Sequence, residues 1–261
     1  MLPLLLALLA PPQQPEILLA TTTSTRDAGL LDSLLPLFET RTGYKVKVVA
    51  VGSGQALEMG RRGDADVVLT HAPDAERALV DSGYFIRRRL VMHNDFLIVG
   101  PATDPAGVRG NPSAVAALRR IAILQAPFVS RGDRSGTHIQ ERKLWKLGGV
   151  SRPPRVEWYI ESGQGMAATL QMADQKHAYT LSDRATYLAW RKRLQLVPLV
   201  EGDTLLYNVY HVMEARGARE GAQALADFFV SPEAQALIAR FGTARYGQAL
   251  FIPDAGKPDR W

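Results

Sequence analysis

Hydroxyl residues are concentrated in short segments that follow apolar runs of the sequence. Residues 21–25 read Thr-Thr-Thr-Ser-Thr after the apolar run 17–20, and Ser53 lies between two glycines after the valine-rich run 45–51. Apolar residues at helical spacing follow each segment. Hydroxyls and the free N–H groups at a helix start donate hydrogen bonds, and the helix dipole adds positive potential there. Both segments therefore suit the binding of an anion.

Helix capping is the competing interpretation of these hydroxyls. Capping needs one side chain, and five consecutive hydroxyls exceed that need, which favours ligand donation by the segment 21–25. For Ser53, a tight turn explains the flanking glycines equally well. A dinucleotide-binding glycine motif is excluded there, because Leu57 occupies the position of its third glycine.

The segment around Arg131 combines hydroxyls with a cation. A guanidinium can place two parallel N–H donors on an oxyanion, although a salt bridge to Asp133 is an equally good interpretation of Arg131. Ser135 and Thr137 lie at the predicted start of a helix, and Thr137 with Gln140 fits a capping box. This segment predicts a second set of anion donors.

An enzyme is the alternative for the same segment. Ser135 and His138 could act as nucleophile and base, oriented by Asp133, in a hydrolase of phosphate esters. Residues spaced by three at a helix start usually serve capping, however, and the pattern Gly-x-Ser-x-Gly is absent from the segment. The five histidines show no paired metal-ligand spacing, and the chain has no cysteine. The sequence thus predicts a binding protein that uses no cofactor and no bound metal cation.

The elements that must position these residues alternate between strand and helix. The unit of apolar strand, polar turn and helix recurs in both halves, which predicts an α/β fold with parallel sheets and ligands at the strand ends. Two extended stretches, residues 91–100 and 196–207, predict crossover strands between two lobes. The first lobe would contain residues 15–95 and 205–261, and the second residues 96–204.

Composition narrows the function classes. The 261 residues carry a formal net charge of +5, but the basic residues are dispersed, which argues against a nucleic-acid-binding face. Residues 1–10 form an apolar run that is too short to span a bilayer. We therefore interpret residues 1–14 as a signal segment and expect export to the periplasm. Without cysteine, a lipid anchor on that residue is excluded.

Seven segments of the sequence resemble the tungstate-binding proteins of bacterial ABC importers. The similarity runs in order from about Ile17 to Asp254, and the Thr-Thr-Thr-Ser and Ser-Arg-Gly-Asp blocks are its most specific parts. The matching segments are residues 21–27, 52–57, 62–67, 128–133, 135–138, 161–166 and 246–248.

The resemblance implies a two-lobed periplasmic-binding-protein fold that closes on an anion and delivers it to a membrane permease. It also implies that tungsten is bound as the oxyanion, by a monomer, through six residues: Thr23, Ser24, Ser53, Arg131, Ser135 and Thr137. Tungstate is a dianion that only accepts hydrogen bonds, whereas phosphate still carries a proton that a carboxylate can accept. Asp133 is the only carboxylate expected nearby. The sequence does not distinguish molybdate from tungstate as the ligand, and sulfate and phosphate are further alternatives.

Export predicts a shortened chain in the periplasm. The apolar start should be removed, so that mature protein begins near Pro11. N-terminal sequencing of protein recovered from a periplasmic fraction measures this directly. A cytoplasmic product that still begins at Met1 would contradict the expectation.

Overall fold

The computed structural model describes residues 15–150 and 157–259, and the predicted signal segment lies outside them. The strands are β1 (Glu16–Thr22), β2 (Lys45–Val51), β3 (Val67–Thr70), β4 (Phe85–Gly100), β5 (Phe128–Ser130), β6 (Tyr159–Glu161), β7 (Thr180–Asp183), β8 (Val197–Val200), β9 (Tyr207–Ala215) and β10 (Ile252–Pro253). The helices are α1 (Thr23–Asp27), α2 (Leu30–Thr42), α3 (Ser53–Arg62), α4 (Pro73–Asp81), α5 (Ala114–Ile123), α6 (Gly136–Leu147), α7 (Met166–Gln175), α8 (Arg184–Trp190), α9 (Ala222–Phe229), α10 (Pro232–Arg240) and α11 (Thr243–Tyr246). Among these described elements, no helix is long and apolar enough to cross a membrane. The alternation of strands and helices confirms the predicted α/β class.

The first sheet has the strand order β10-β4-β9-β3-β1-β2. β1 pairs in parallel with both β2 and β3, so the carboxyl ends of these three strands lie at one edge. β9 pairs antiparallel with β3 and with β4. The sheet is therefore mixed, and its parallel part carries the hydroxyl-rich segments that follow β1 and β2.

Alternating side chains of β1 pack on opposite faces of this sheet. Ile17 and Leu19 contact one core, which includes α2, α9 and α10, whereas Ala20 packs with Leu57 of α3 on the other face. The helical spacing predicted after residues 21–25 belongs to α2, whose buried residues are Leu30, Leu31, Leu34, Leu35 and Phe38. Both faces are thus covered by helices, as an α/β fold requires.

β4 extends from the first sheet into the second half of the protein. Its residues up to Asp95 pair with β9, and residues 96–100 pair antiparallel with β7 and β8. β5 and β6 form a separate parallel pair. A second core, which includes Leu118 of α5 and Trp145 of α6, packs around these strands. β4 therefore fulfils the predicted role of the first crossover strand.

The second crossover differs from the prediction for residues 196–207. β8 pairs with the end of β4 and does not cross. Gly202 then has a φ of 80°, and Asp203 caps a 3-10 helix by accepting the N–H of Leu205 at 2.9 Å. These turn residues interrupt the extended pattern. The chain returns to the first sheet only at Tyr207, where β9 begins.

Glu141 of α6 is a carboxyl group buried in the second half of the protein. It is 1% exposed, and its Oε1 accepts hydrogen bonds from Tyr159 Oη at 2.7 Å and from Trp145 Nε1 at 3.1 Å. Burial raises the pKa of Glu141 from 4.5 to about 7, because the apolar surroundings disfavour the charged carboxylate more than the donors favour it. Between these two values the folded protein keeps a proton that the unfolded chain releases. Stability therefore falls as the pH rises through this window.

We predict that Glu141→Gln removes this pH dependence. Between about pH 4.5 and about pH 7 the wild type should lose about 3 kcal/mol relative to the variant, since one unit of pKa difference is worth about 1.4 kcal/mol. Urea unfolding at about pH 5 and about pH 8 measures the loss, and the other titrating groups cancel in the comparison. Glu157→Gln, at an exposed position, is the control. Identical pH profiles for wild type and Glu141→Gln would contradict the prediction.

Candidate functional site

A small cavity lies between the carboxyl edge of the first sheet and the segments that follow β5 and β7. Its volume is about 50 Å³, far below the roughly 300–1,000 Å³ of pockets for drug-sized molecules. The structure brings all six predicted residues to this one cavity: Thr23, Ser24, Ser53, Arg131, Ser135 and Thr137. The cavity therefore suits a ligand of a few atoms that meets both halves of the chain.

The hydroxyls after β1 differ in their contacts within the fold. Thr22 caps α1, because its Oγ1 accepts the N–H of Thr25 at 3.4 Å, and the two hydroxyls lie 2.6 Å apart. The Thr21 hydroxyl donates to the Leu69 carbonyl at 2.8 Å. These three threonines are buried and hydrogen-bonded within the fold, whereas Thr23 and Ser24 are exposed. Thr22, Thr23 and Ser24 all line the cavity.

Ser53 opens α3, and its side chain is nearly buried. Gly52 before it is extended and makes no side-chain cap, so Ser53 is the first helical residue. Within residues 15–150 and 157–259, the Ser53 Oγ has no hydrogen-bond partner. A buried polar atom without a partner destabilises a fold by about 1–3 kcal/mol, so such an atom needs an explanation. A ligand oxygen in the cavity would supply the missing partner.

Arg131 forms the salt bridge that was its alternative interpretation and lines the cavity as well. Its Nη2 donates to a carboxylate oxygen of Asp133, whose other oxygen accepts the Ser135 N–H at 3.1 Å. The Nε of Arg131 is buried and has no partner in the described part of the chain. Arg131 is therefore held in place by Asp133 and keeps a donor to spare.

The capping box predicted for Thr137 and Gln140 is wrong. α6 begins at Gly136, so Ser135 is the cap and accepts the N–H of His138 at 3.4 Å. Gln140 turns away and donates to the Leu205 carbonyl. Thr137 lies in the first turn of α6 and lines the cavity.

The nucleophile and base of the hydrolase alternative are not paired with each other. The Ser135 hydroxyl accepts a backbone N–H, and the Nδ1 of His138 accepts the N–H of Arg134 at 2.9 Å. Asp133 contacts Arg131 and the main chain of Ser135. No group of His, Asp and Glu within the described ranges could hold a metal ion. The segment is arranged as a set of donors at a helix start.

Known proteins share this architecture over nearly the whole chain. The model of the PBP superfamily domain matches residues 9–233. The tungstate-binding protein TupA of Peptoclostridium acidaminophilum is 46% identical over 250 residues, which are 93% of this chain and 87% of that protein. The solved tungstate-binding protein TupA of Desulfovibrio alaskensis is 43% identical with a TM-score of 0.83, over 92% of this chain and 99% of its own. The solved tungstate ABC transporter protein of Geobacter sulfurreducens is 44% identical with a TM-score of 0.74, over 87% and 98%.

The chain belongs to the TupA family of the PBP superfamily. This membership confirms the family expected from the sequence segments and, with the sheet order, the periplasmic-binding-protein fold. Two of these relatives are tungstate-binding proteins, and the third is a tungstate ABC transporter protein.

The cavity of this TupA family member includes polar residues that sequence reasoning missed. They are Thr22, His71, Asn94, Asp183, Asn208 and Tyr210. Asn208 donates from Nδ2 to Asn94 Oδ1 and to Tyr210 Oη, both at 2.8 Å, at the point where β4 and β9 pair. Asparagine is depleted in strands, so an asparagine inside each of these two strands was the available signal.

Asp183 corrects the expectation that Asp133 is the only carboxylate near the site. It is 8% exposed, lines the cavity and caps α8. Its Oδ1 accepts the Thr186 N–H at 2.8 Å and the Thr186 hydroxyl at 2.9 Å. Burial raises the pKa of Asp183, against these donors and the positive charge of Arg131. An aspartate directly before a helix is explained by capping alone, so the sequence carries no separate signal for Asp183.

His71 reaches the cavity from the end of β3. Its ring packs 4.9 Å from the ring of Tyr210, and burial lowers the pKa of His71 to about 4, so the imidazole is neutral at neutral pH. A Cβ on Gly136 would lie 2.5 Å from His71 Cε1. Glycine at the start of α6 thus allows the helix to approach His71 closely. The charged side chains that line the cavity in the described structure are therefore Arg131 and Asp183.

Proposed function

We propose that the protein binds tungstate as an intact oxyanion and delivers it to the permease of an ABC importer. The observation that carries the proposal is the pair of buried donors without partners, Ser53 Oγ and Arg131 Nε, at a cavity of about 50 Å³. A buried donor is satisfied by an acceptor, and a fully deprotonated oxyanion such as tungstate presents acceptors only. The donors come from both halves of the chain, so the ligand would be surrounded.

Six residues form the proposed ligand set: Thr23, Ser24, Ser53, Arg131, Ser135 and Thr137. Ser53 and Ser135 lie at the starts of α3 and α6, where backbone N–H groups and the helix dipole also favour an anion. Arg131 adds a full positive charge, which suits an oxyanion better than a neutral ligand. This donor set leaves no role for a free metal cation or a cofactor.

Tungstate is favoured by the names of the relatives. The proteins from P. acidaminophilum and D. alaskensis are tungstate-binding proteins. Molybdate, a dianion of nearly the same size, is the strongest competitor, and sulfate is smaller. Phosphate is the second candidate, because Asp183 gives the cavity a carboxylate that could accept its proton.

We infer that binding proceeds without chemical turnover. The Ser135 hydroxyl and the His138 ring each accept a main-chain N–H and are not paired with each other. Ser135 therefore lacks the neighbouring base that would activate it for hydrolysis. The protein would act as a monomer in the periplasm, without a lipid anchor. Its partner would be the membrane permease.

Calorimetry with tungstate, molybdate, sulfate and phosphate tests the proposed function. Tungstate should saturate at one ion per chain. Arg131→Ala should weaken tungstate binding by about 2–5 kcal/mol, because a buried dianion loses its charged partner. Arg142→Ala removes the same charge from an exposed position of α6 and should change the affinity little.

If both arginine variants lose the same tungstate affinity, Arg131 acts only through the overall positive charge of the protein and does not contact the ligand. A preference for phosphate over tungstate would favour the second candidate. Release of product from a chromogenic phosphate ester would show turnover and contradict a pure binding role.

Closure of two lobes follows from the distribution of the donors. We propose that residues 15–95 and 205–261 form one lobe and residues 96–204 the other, with Arg131 and Ser53 on different lobes. No single lobe then completes the ligand shell, so the anion binds the closed arrangement better than the open one. Solution scattering should show a smaller radius of gyration with tungstate at constant molecular mass. Binding with unchanged scattering would indicate a preformed site.

A further inference from the structure

A buried carboxylate next to an anion site is electrostatically unfavourable unless a proton neutralises it. Asp183 lines the cavity and is 8% exposed. The nearest cation at the cavity, Arg131, is already bound to the carboxylate of Asp133. With both aspartates ionised, these three side chains carry one net negative charge before any ligand enters. A dianion would add two more charges of the same sign.

Ionised Asp183 repels an anion, whereas protonated Asp183 can donate a hydrogen bond to it. An ionised carboxylate only accepts hydrogen bonds, whereas the neutral acid has an O–H that can donate one. Enzymes are known to keep a buried carboxylic acid neutral so that it donates to an anion. Asp183 Oδ1 is held by Thr186, so the carboxyl group has a fixed orientation in which a proton could be placed on the other oxygen.

We propose that Asp183 takes up one proton when the oxyanion binds and donates it as a hydrogen bond to a ligand oxygen. The proposal rests on the proposed function of dianion binding. The proton comes from the solvent, and no covalent bond of the ligand changes. Asp183 would thereby favour a fully deprotonated dianion at low pH.

The groups that face Asp183 include one competing acceptor for that proton, His71. Arg131 from the segment after β5 is a cation that favours the ionised form of Asp183, and Tyr210 from β9 stays neutral because burial raises its pKa. His71 from the end of β3 is the alternative acceptor at the cavity, although burial lowers its pKa to about 4. Arg184 next in sequence is bound to Asp95 and Glu201. Burial raises the pKa of Asp183 itself, which brings protonation closer to the working pH.

Ligands that carry a proton would behave differently. Hydrogen phosphate can donate its own proton to ionised Asp183, so its binding needs no proton from the solvent. Tungstate affinity should fall by up to about tenfold for each unit of rising pH in the range where one proton is taken up. Phosphate affinity should lack this fall.

Calorimetry of the full chain with sodium tungstate tests the proposal, in buffers of different ionisation enthalpy from about pH 5 to about pH 9. The buffer dependence gives the number of protons taken up, which should approach one within this range. Asp183→Asn keeps an oxygen for Thr186, is a good helix cap and supplies an N–H donor in place of the acid. This variant should bind tungstate without proton uptake and more tightly than the wild type at the highest pH.

Asp95→Asn is the matched control. It removes the same charge from a residue close in the fold that is paired with Arg184 and does not line the cavity. It should keep the proton uptake. Infrared difference spectra of the wild type should show the C=O stretch of a protonated carboxylic acid when tungstate is added, and this measurement does not depend on any variant.

Two results would overturn the proposal while leaving tungstate binding intact. One is tungstate binding by the wild type with no proton uptake at any pH in the range and no new carboxylic acid band. The other is proton uptake that persists in Asp183→Asn, which would assign the proton to another group such as His71. Failure of the wild type to bind tungstate at all would instead overturn the proposed function, and this inference with it.

Discussion

A buried hydrogen-bond donor without a partner destabilises a fold by about 1–3 kcal/mol, and two such donors meet at the cavity. Stable packing elsewhere has to offset them. Ser53 opens α3, whose Ala56, Leu57 and Gly60 are buried against the sheet. Arg131 is fixed at both ends, because its carbonyl accepts the Gly163 N–H at 2.9 Å and its guanidinium is bound to Asp133. The donors are thus held in place by the scaffold and do not collapse onto each other.

The pairing of β4 with β9 determines how the two halves meet at the cavity. Asn94 faces Asn208 in the register, and the Asn208 side chain donates hydrogen bonds to Asn94 and to Tyr210. These polar groups are buried, and a satisfied buried network holds one arrangement because breaking any member leaves the others unpaired. The network lies at the position where β4 leaves the first sheet and β9 enters it. Any movement of the halves would therefore have to bend the strands near a fixed polar contact.

Local patterns predicted the elements and the donor segments, because strand periodicity, helix spacing and turn chemistry act over a few residues. The six predicted donors lie at the ends of strands, and parallel strands end at a common edge. The residues that were missed depend on distant contacts. Asp183 interacts electrostatically with Arg131 only because the fold brings the two together. The capping box predicted at Thr137 is wrong because α6 begins at Gly136, with Ser135 as its cap. Register between remote strands, as at Asn94, leaves no trace in local periodicity.

Charge balance separates oxyanions more sharply than the type of donor. Hydroxyls, N–H groups and arginine serve tungstate, sulfate and phosphate alike, and each neutral hydrogen bond contributes only about 1 kcal/mol. Two unit charges 4 Å apart interact by about 4 kcal/mol at an effective dielectric constant near 20. The net charge of +5 is dispersed over the chain and attracts any anion from a distance. Within the cavity, a carboxylate such as Asp183 therefore outweighs a hydroxyl such as Ser53 in deciding which proposed anion is accepted.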